Sequence, residues 1–182
     1  MTRIKAARAG RAQTAGMDQT PFLRRLLACL DLTRLGEADT PGDIAALCEL
    51  AARLPVPPAA LCVHPEMIAS ARAGLSAHGL KKVAVATVVN FPDGSTDAAR
   101  CTREIHRARG AGATEIDAVM PWRALLAGQV GAVVACLQSI RAASGRLPLK
   151  VIVESGELGT PERIREAALL AIECGADFIK TS

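Results

Sequence analysis

The chain has 182 residues, half of them hydrophobic, so it can bury one good core and is too apolar for a disordered polymer; one compact domain is expected. Its formal net charge of +4 arises in the leading stretch, where Arg3, Lys5, Arg8 and Arg11 stand without an acid, while the remaining Lys and Arg balance the 18 acidic residues. With three Phe, one Trp and no Tyr it lacks the stacking platforms of a single-strand nucleic-acid binder, so no nucleic-acid partner is expected.

Cys29, Cys48, Cys62, Cys101, Cys136 and Cys174 are widely spaced, with no Cys-x-x-Cys pair and no close histidine, so neither a zinc site nor a disulfide framework is readable. No uncharged apolar run of about 18 residues and no signal-peptide pattern occurs, which predicts a soluble cytoplasmic protein with reduced thiols and no membrane partner. Residues 1–17 are expected to be a disordered basic extension, with Met17 as an alternative start, and residues 18–182 the folded domain.

From Thr20 onward short apolar runs alternate with longer helical ones. The first helix is predicted over Pro21–Leu27, with Thr20 as N-cap and Pro21 at its first position. Strands are predicted at Cys29–Thr33, Ala60–His64, Lys82–Asn90, Glu115–Met120, Leu149–Glu154 and Asp177–Thr181. Between them, Thr40-Pro41-Gly42-Asp43 opens a helix to Arg53, Thr96-Asp97 opens one over Ala98–Arg109, and Thr160-Pro161-Glu162 opens one over Arg163–Cys174. Gly79, Gly110, Gly145 and Gly175 mark helix ends.

The strand runs are almost continuously apolar, as parallel strands covered on both faces must be, so the class is α/β with a parallel sheet. An open doubly wound sheet and a closed barrel both meet that description. No Gly-x-Gly-x-x-Gly run follows the first strand, whereas polar residues stand on many strands: Asp31, Cys62, Asn90, Asp117, Lys150, Glu154 and Lys180. Convergence from many strands is what the carboxyl-terminal face of a barrel provides, which favours a TIM-type (β/α)8 barrel.

Lys180 is the candidate reactive group. A lysine on one face of an apolar strand must reach solvent, be paired, or be chemically employed. Asp117 shares a period-two face with Glu115 and Val119, and Lys150 shares one with Ile152 and Glu154. Pairing of Lys150 with Glu154 or with Asp117 would satisfy these charges without catalysis. Cys62, between Leu61 and Val63, reads as a small core residue in preference to a nucleophile. His64 belongs to a surface or pocket rim and has no partner visible in the sequence.

Six stretches resemble, in order, the strand motifs of deoxyribose-phosphate aldolase: Leu30-Asp31-Leu32-Thr33, Leu61-Cys62-Val63-His64-Pro65, Val88-Val89-Asn90-Phe91-Pro92, Glu115 to Leu125, Leu149 to Leu158 and Gly175 to Ser182. The resemblance implies a barrel of eight strands and a class I aldolase, free of metal and cofactor, that cleaves 2-deoxy-D-ribose 5-phosphate to glyceraldehyde 3-phosphate and acetaldehyde. It places Lys180 on the Schiff-base lysine and Asp117 on the proton-relay aspartate. Asp31, Thr33, Cys62 and Lys150 fall on residues lining that family's sugar-phosphate pocket.

A lysine with an ordinary pKa of about 10.4 is neutral in only about 4 in 10,000 molecules at pH 7, and only the neutral amine attacks a carbonyl. Burial and a neighbouring cation are expected to lower the pKa of Lys180. The family's following stretch, with a second lysine and glycine-rich phosphate loops, does not follow Ser182. A barrel truncated after the sixth strand is therefore expected, with impaired activity and with exposed edges that make it poorly soluble or a homo-oligomer. The alternatives are an inactive fragment of such an enzyme and another Schiff-base barrel, such as a transaldolase.

Overall fold

The structure, a computed structural model, describes residues 20–181, so the extension expected over residues 1–17 lies outside the described residues. The elements run α1 (Thr20–Leu27), β1 (Asp31–Arg34), α2 (Pro41–Arg53), β2 (Ala60–Val63), α3 (Ile68–Ala77), β3 (Ala84–Val89) and α4 (Ala98–Ala111). There follow β4 (Glu115–Val119), α5 (Trp122–Leu126), α6 (Val130–Ser144), β5 (Leu149–Ile152), α7 (Ser155–Leu158), α8 (Pro161–Glu173) and β6 (Phe178–Lys180). All six expected strands are found in order, each shorter than predicted by one to three residues, with β1 shifted to include Arg34.

The helix starts follow their caps. Thr40 and Asp43 form a reciprocal capping box on α2, Asp97 accepts from the Arg100 amide at 2.8 Å on α4, and Thr160 caps α8. Thr20 itself lies within α1. Helix α4 continues through Gly110 and stops at Gly112, whose φ of 98° is the left-handed cap the sequence reading had placed two residues earlier.

Every neighbouring pair of strands is parallel, in the order β1-β2-β3-β4-β5-β6. In a flat sheet, β1 and β5 would be about 19 Å apart, four steps of about 4.8 Å. Yet Lys150 Nζ on β5 lies 2.5 Å from Asp31 Oδ2 on β1, and Lys180 Nζ on β6 lies 3.6 Å from the same oxygen. Only a sheet curled through a large part of a circle brings these groups together. The domain is therefore a half-barrel of (β/α) units, the inward side chains of its outermost strands meeting across the interior.

Register decides what faces inward. Thr33, Cys62, Ala86 and Glu115 stand level across β1 to β4, and Val88, Asp117 and Lys150 across β3 to β5. Ala60, Ala84 and Ala86 are small residues on this same inner face, which leaves room for the long lysine side chains. The opposite face carries Leu61, Val63, Val85, Val89, Ile116, Ala118 and Val151, in one buried cluster with Ile44, Ile68, Leu75, Ile105, Leu137 and Ile140 of the helices. Each such Leu or Ile contributes roughly 1.5–3 kcal/mol by leaving water.

The outer strands differ from the middle ones. Strands β2, β4 and β5 are buried almost throughout, whereas Phe178 on β6 is 58% exposed. Phe22, Leu23 and Leu26 on α1, and Leu169 and Ile172 on α8, also face solvent.

Candidate active site

Asp117 is the centre of the inner face. Its position in β4 puts it between Val88 and Lys150, and it is fully buried. Its Oδ2 accepts from Lys180 Nζ at 2.5 Å and from the Cys62 thiol at 3.4 Å. Its Oδ1 has no hydrogen-bond partner, and the Lys150 ammonium stands 3.5 Å away. A buried carboxylate oxygen left in this state is a free acceptor turned into the site.

Lys150, only 7% exposed, is held elsewhere: its Nζ lies 2.5 Å from Asp31 Oδ2 and 2.7 Å from Glu115 Oε2. Of the pairings open in the sequence, Lys150 with Asp117 is present as this longer contact, but Asp31 and Glu115 are the nearer partners. Three carboxylates thus face two ammoniums. Asp31, Cys62, Asp117, Lys150 and Lys180 are brought together. Thr33 is not: it is exposed, and its hydroxyl donates to the Asp31 carbonyl at 3.3 Å.

The electrostatics depart from expectation at Lys180. Burial works against its charge, but the Asp117 carboxylate, aided by Asp31, outweighs burial and raises the amine above its ordinary value. Lys150 is raised in the same way, with burial opposed by Asp117, Asp31 and Glu115. Cys62 is pushed up to about 12 by burial and by the charge of Asp117, so it is a protonated thiol and not a nucleophile at neutral pH. The depression expected from burial together with a second lysine is not produced by burial alone, because the acids around Lys180 outnumber the cations.

The loop after β3 braces this face. Asn90 has φ 54° and is fully buried; its amide nitrogen donates to Ser95 O at 2.8 Å and Val119 O at 2.9 Å, and its Oδ1 accepts from the Ser95 amide. The Asn90 backbone amide donates to Glu104, which also takes Arg100, itself bidentate to Asp93. Gly94, at φ 62°, passes so close to the end of β4 that a Cβ there would stand 2.4 Å from Met120 O. Strands β3 and β4 are thereby locked at the end that presents Asp117. Sequence reasoning noticed Asn90 and Glu115 as polar strand residues but gave neither a role.

A cleft of about 720 Å³ opens at the carboxyl ends of β1, β2 and β3, lined among others by Leu35, His64, Met67, Val88, Phe91 and Arg107. It contains neither lysine of the cluster, and Val88, level with Asp117, is its link to the site. His64 is at the rim as expected, and it has a partner after all, the edge-to-face ring of Phe91 at 5.9 Å. Among the described residues, no group of three His, Cys, Asp or Glu side chains could hold a metal ion, and no helix is long and apolar enough to cross a membrane.

The chain is similar to solved structures of aldolases. A candidate deoxyribose-phosphate aldolase from Toxoplasma gondii ME49 matches with TM-score 0.79 and 29% identity, over 90% of this chain and 63% of that one. A second candidate, from Coccidioides immitis, matches with TM-score 0.77 and 28% identity, over 86% of this chain and 60% of that one. QR15, an aldolase, matches with TM-score 0.75 and 30% identity, over 86% of this chain and 67% of that one. The chain thus spans about two thirds of these relatives' length or slightly less. The family model for DeoC/LacD family aldolases matches residues 25–182, nearly the whole domain from the end of α1 onward, and the chain belongs to that family.

Proposed function

We propose that this chain carries the Schiff-base centre of a class I aldolase acting on 2-deoxy-D-ribose 5-phosphate, with Lys180 as nucleophile and Asp117 as proton carrier. The observation that carries the reading is the 2.5 Å contact between Lys180 Nζ and the fully buried Asp117, inside a domain of the aldolase family. The similarity to candidate deoxyribose-phosphate aldolases from Toxoplasma gondii and Coccidioides immitis supports the choice of substrate.

In this reading Asp117 takes the proton that its own charge holds on Lys180, releasing a neutral amine. The amine adds to the C1 aldehyde of the open-chain sugar, and the carbinolamine loses water with a proton from Asp117, leaving a protonated imine. The imine accepts the electron pair of the C2–C3 bond as it breaks. The C3 hydroxyl gives up its proton, glyceraldehyde 3-phosphate departs, and an enamine remains on Lys180. Protonation of the enamine carbon and addition of water release acetaldehyde and restore the amine. Lys150, fixed by Asp31 and Glu115, supplies a positive charge beside these steps, and the Cys62 thiol lines the inner face for a sugar hydroxyl.

The test is release of acetaldehyde and glyceraldehyde 3-phosphate by the purified protein, and its loss in Lys180→Arg. Cleavage that survives Lys180→Arg would remove the assignment. One observation favours a second reading, an inactive chain: the acids around Lys180 hold it protonated. Absence of product from the wild-type protein would favour that reading.

A further inference from the structure

We propose that Glu115 is a positioning residue: it holds the Lys150 ammonium off Asp117, so that Asp117 remains free to serve Lys180. In the cluster, Lys150 Nζ lies 2.7 Å from Glu115 and 2.5 Å from Asp31 but 3.5 Å from Asp117 Oδ1, and that oxygen is buried with no hydrogen-bond partner. An ammonium has three protons and would ordinarily fill such a vacant acceptor at about 2.8 Å. A displacement of less than 1 Å from the observed 3.5 Å would do so. The pull that prevents it comes from the two carboxylates on the other side of Nζ, and Glu115 supplies one of them.

The arrangement has a consequence for the proton economy of the site. With Lys150 seated on Oδ1, Asp117 would have both oxygens bound to ammoniums and none open to a substrate or water. The groups facing Lys180 are Asp31 on β1, Cys62 on β2, Asp117 on β4 and Lys150 on β5, with Glu115 on β4 reaching it only through Lys150. Removing Glu115 therefore acts on Lys180 mainly by releasing Lys150 toward Asp117, and only weakly as the loss of a distant charge. The catalytic meaning of this rests on the Lys180 reading above, but its measurement does not.

The experiment is a pH titration of the lysine ¹³Cε signals by NMR in the folded protein, with Lys180 assigned through Lys180→Arg. Four forms are compared: wild type, Glu115→Gln, Asp117→Asn and the double variant. Glu115→Gln is expected to lower the Lys180 midpoint, each unit being about tenfold more neutral amine at pH 7. In the Asp117→Asn background the same substitution is expected to have little further effect, because Lys150 no longer has an acceptor there to move to. An equal fall in both backgrounds would show Glu115 to be a plain counter-ion, and no fall in either would remove its influence altogether; both outcomes overturn the proposal. Glu115→Asp, which keeps the charge but shortens the reach, is expected to shift Lys180 in the same direction to a smaller extent, and it provides the cycle if Glu115→Gln does not fold. Failure of the wild-type protein to form an imine would sink the aldolase reading and leave this titration intact.

Discussion

Lys150 on β5 and Asp31 on β1 share an ion pair at 2.5 Å although three strands separate them in the sheet. With Glu115 at 2.7 Å, this contact closes the interior of the half-barrel around one buried cation. Lys150→Met would leave Asp31, Glu115 and Asp117 facing one another without it. Because breaking a buried pair strands the remaining charge, the variant is expected to lose about 3–5 kcal/mol at pH 7. Part of that loss should return as pH falls through the carboxylate range and the stranded acids protonate. Urea unfolding at both pH values checks it; an unchanged midpoint at pH 7 would show that the pair is not holding the curl.

Asn90 ties the end of β3 to the end of β4 from a left-handed backbone position, with three side-chain hydrogen bonds to Ser95 and Val119. Asn90→Ala removes those bonds and keeps a Cβ at positive φ, so a loss of about 3 kcal/mol is expected. Asn90→Gly relieves the backbone but not the bonds and should recover only about 1 kcal/mol of it. Thermal or urea unfolding of the two variants separates the contributions.

The sheet was legible in the sequence because each strand is a short apolar run between recognisable caps, and the shared face of Glu115 and Asp117 followed from period two alone. Helices α5 and α7 were not legible, since elements of four or five residues complete too few turns to show a period. The positive φ of Asn90 and Glu154 leaves no pattern either. The grouping around Lys150 depends on the curl of the sheet, which no local pattern encodes: Asp31 lies 119 positions from Lys150 in the chain. For the same reason the direction of the Lys180 shift was missed, because it follows from how many acids the curl collects.

Cys62 links stability to pH. Its thiol titrates near the ordinary 9.0 when unfolded and is pushed up to about 12 in the folded site, so the folded state keeps a proton that the unfolded state releases between those values. The corresponding stability is complete below pH 9.0 and declines as pH rises toward about 12. Cys62→Ala should make the decline shallower between pH 9.0 and about 12, read by urea midpoints. At neutral pH, alkylation mapped by mass spectrometry should mark the exposed Cys29 well before the buried Cys62.

Apolar residues on both flanks face water: Phe22, Leu23 and Leu26 on α1, Leu169 and Ile172 on α8, and Phe178 on β6. Strands β1 and β6 each have one unpaired edge among the described residues. Such edges and patches promote association. The 182-residue chain is expected to run as an oligomer or aggregate by size exclusion with light scattering, and Phe178→Glu with Ile172→Glu should reduce it. A monodisperse monomer with a cooperative melt would contradict this.

The most direct test of the catalytic assignment is to incubate the protein with 2-deoxy-D-ribose 5-phosphate, reduce with borohydride and map the modified lysine by mass spectrometry across a pH series. The label is predicted on Lys180, increasing as pH rises because the surrounding acids hold the amine protonated. A label on another lysine, or none on Lys180 at any pH, would contradict the account.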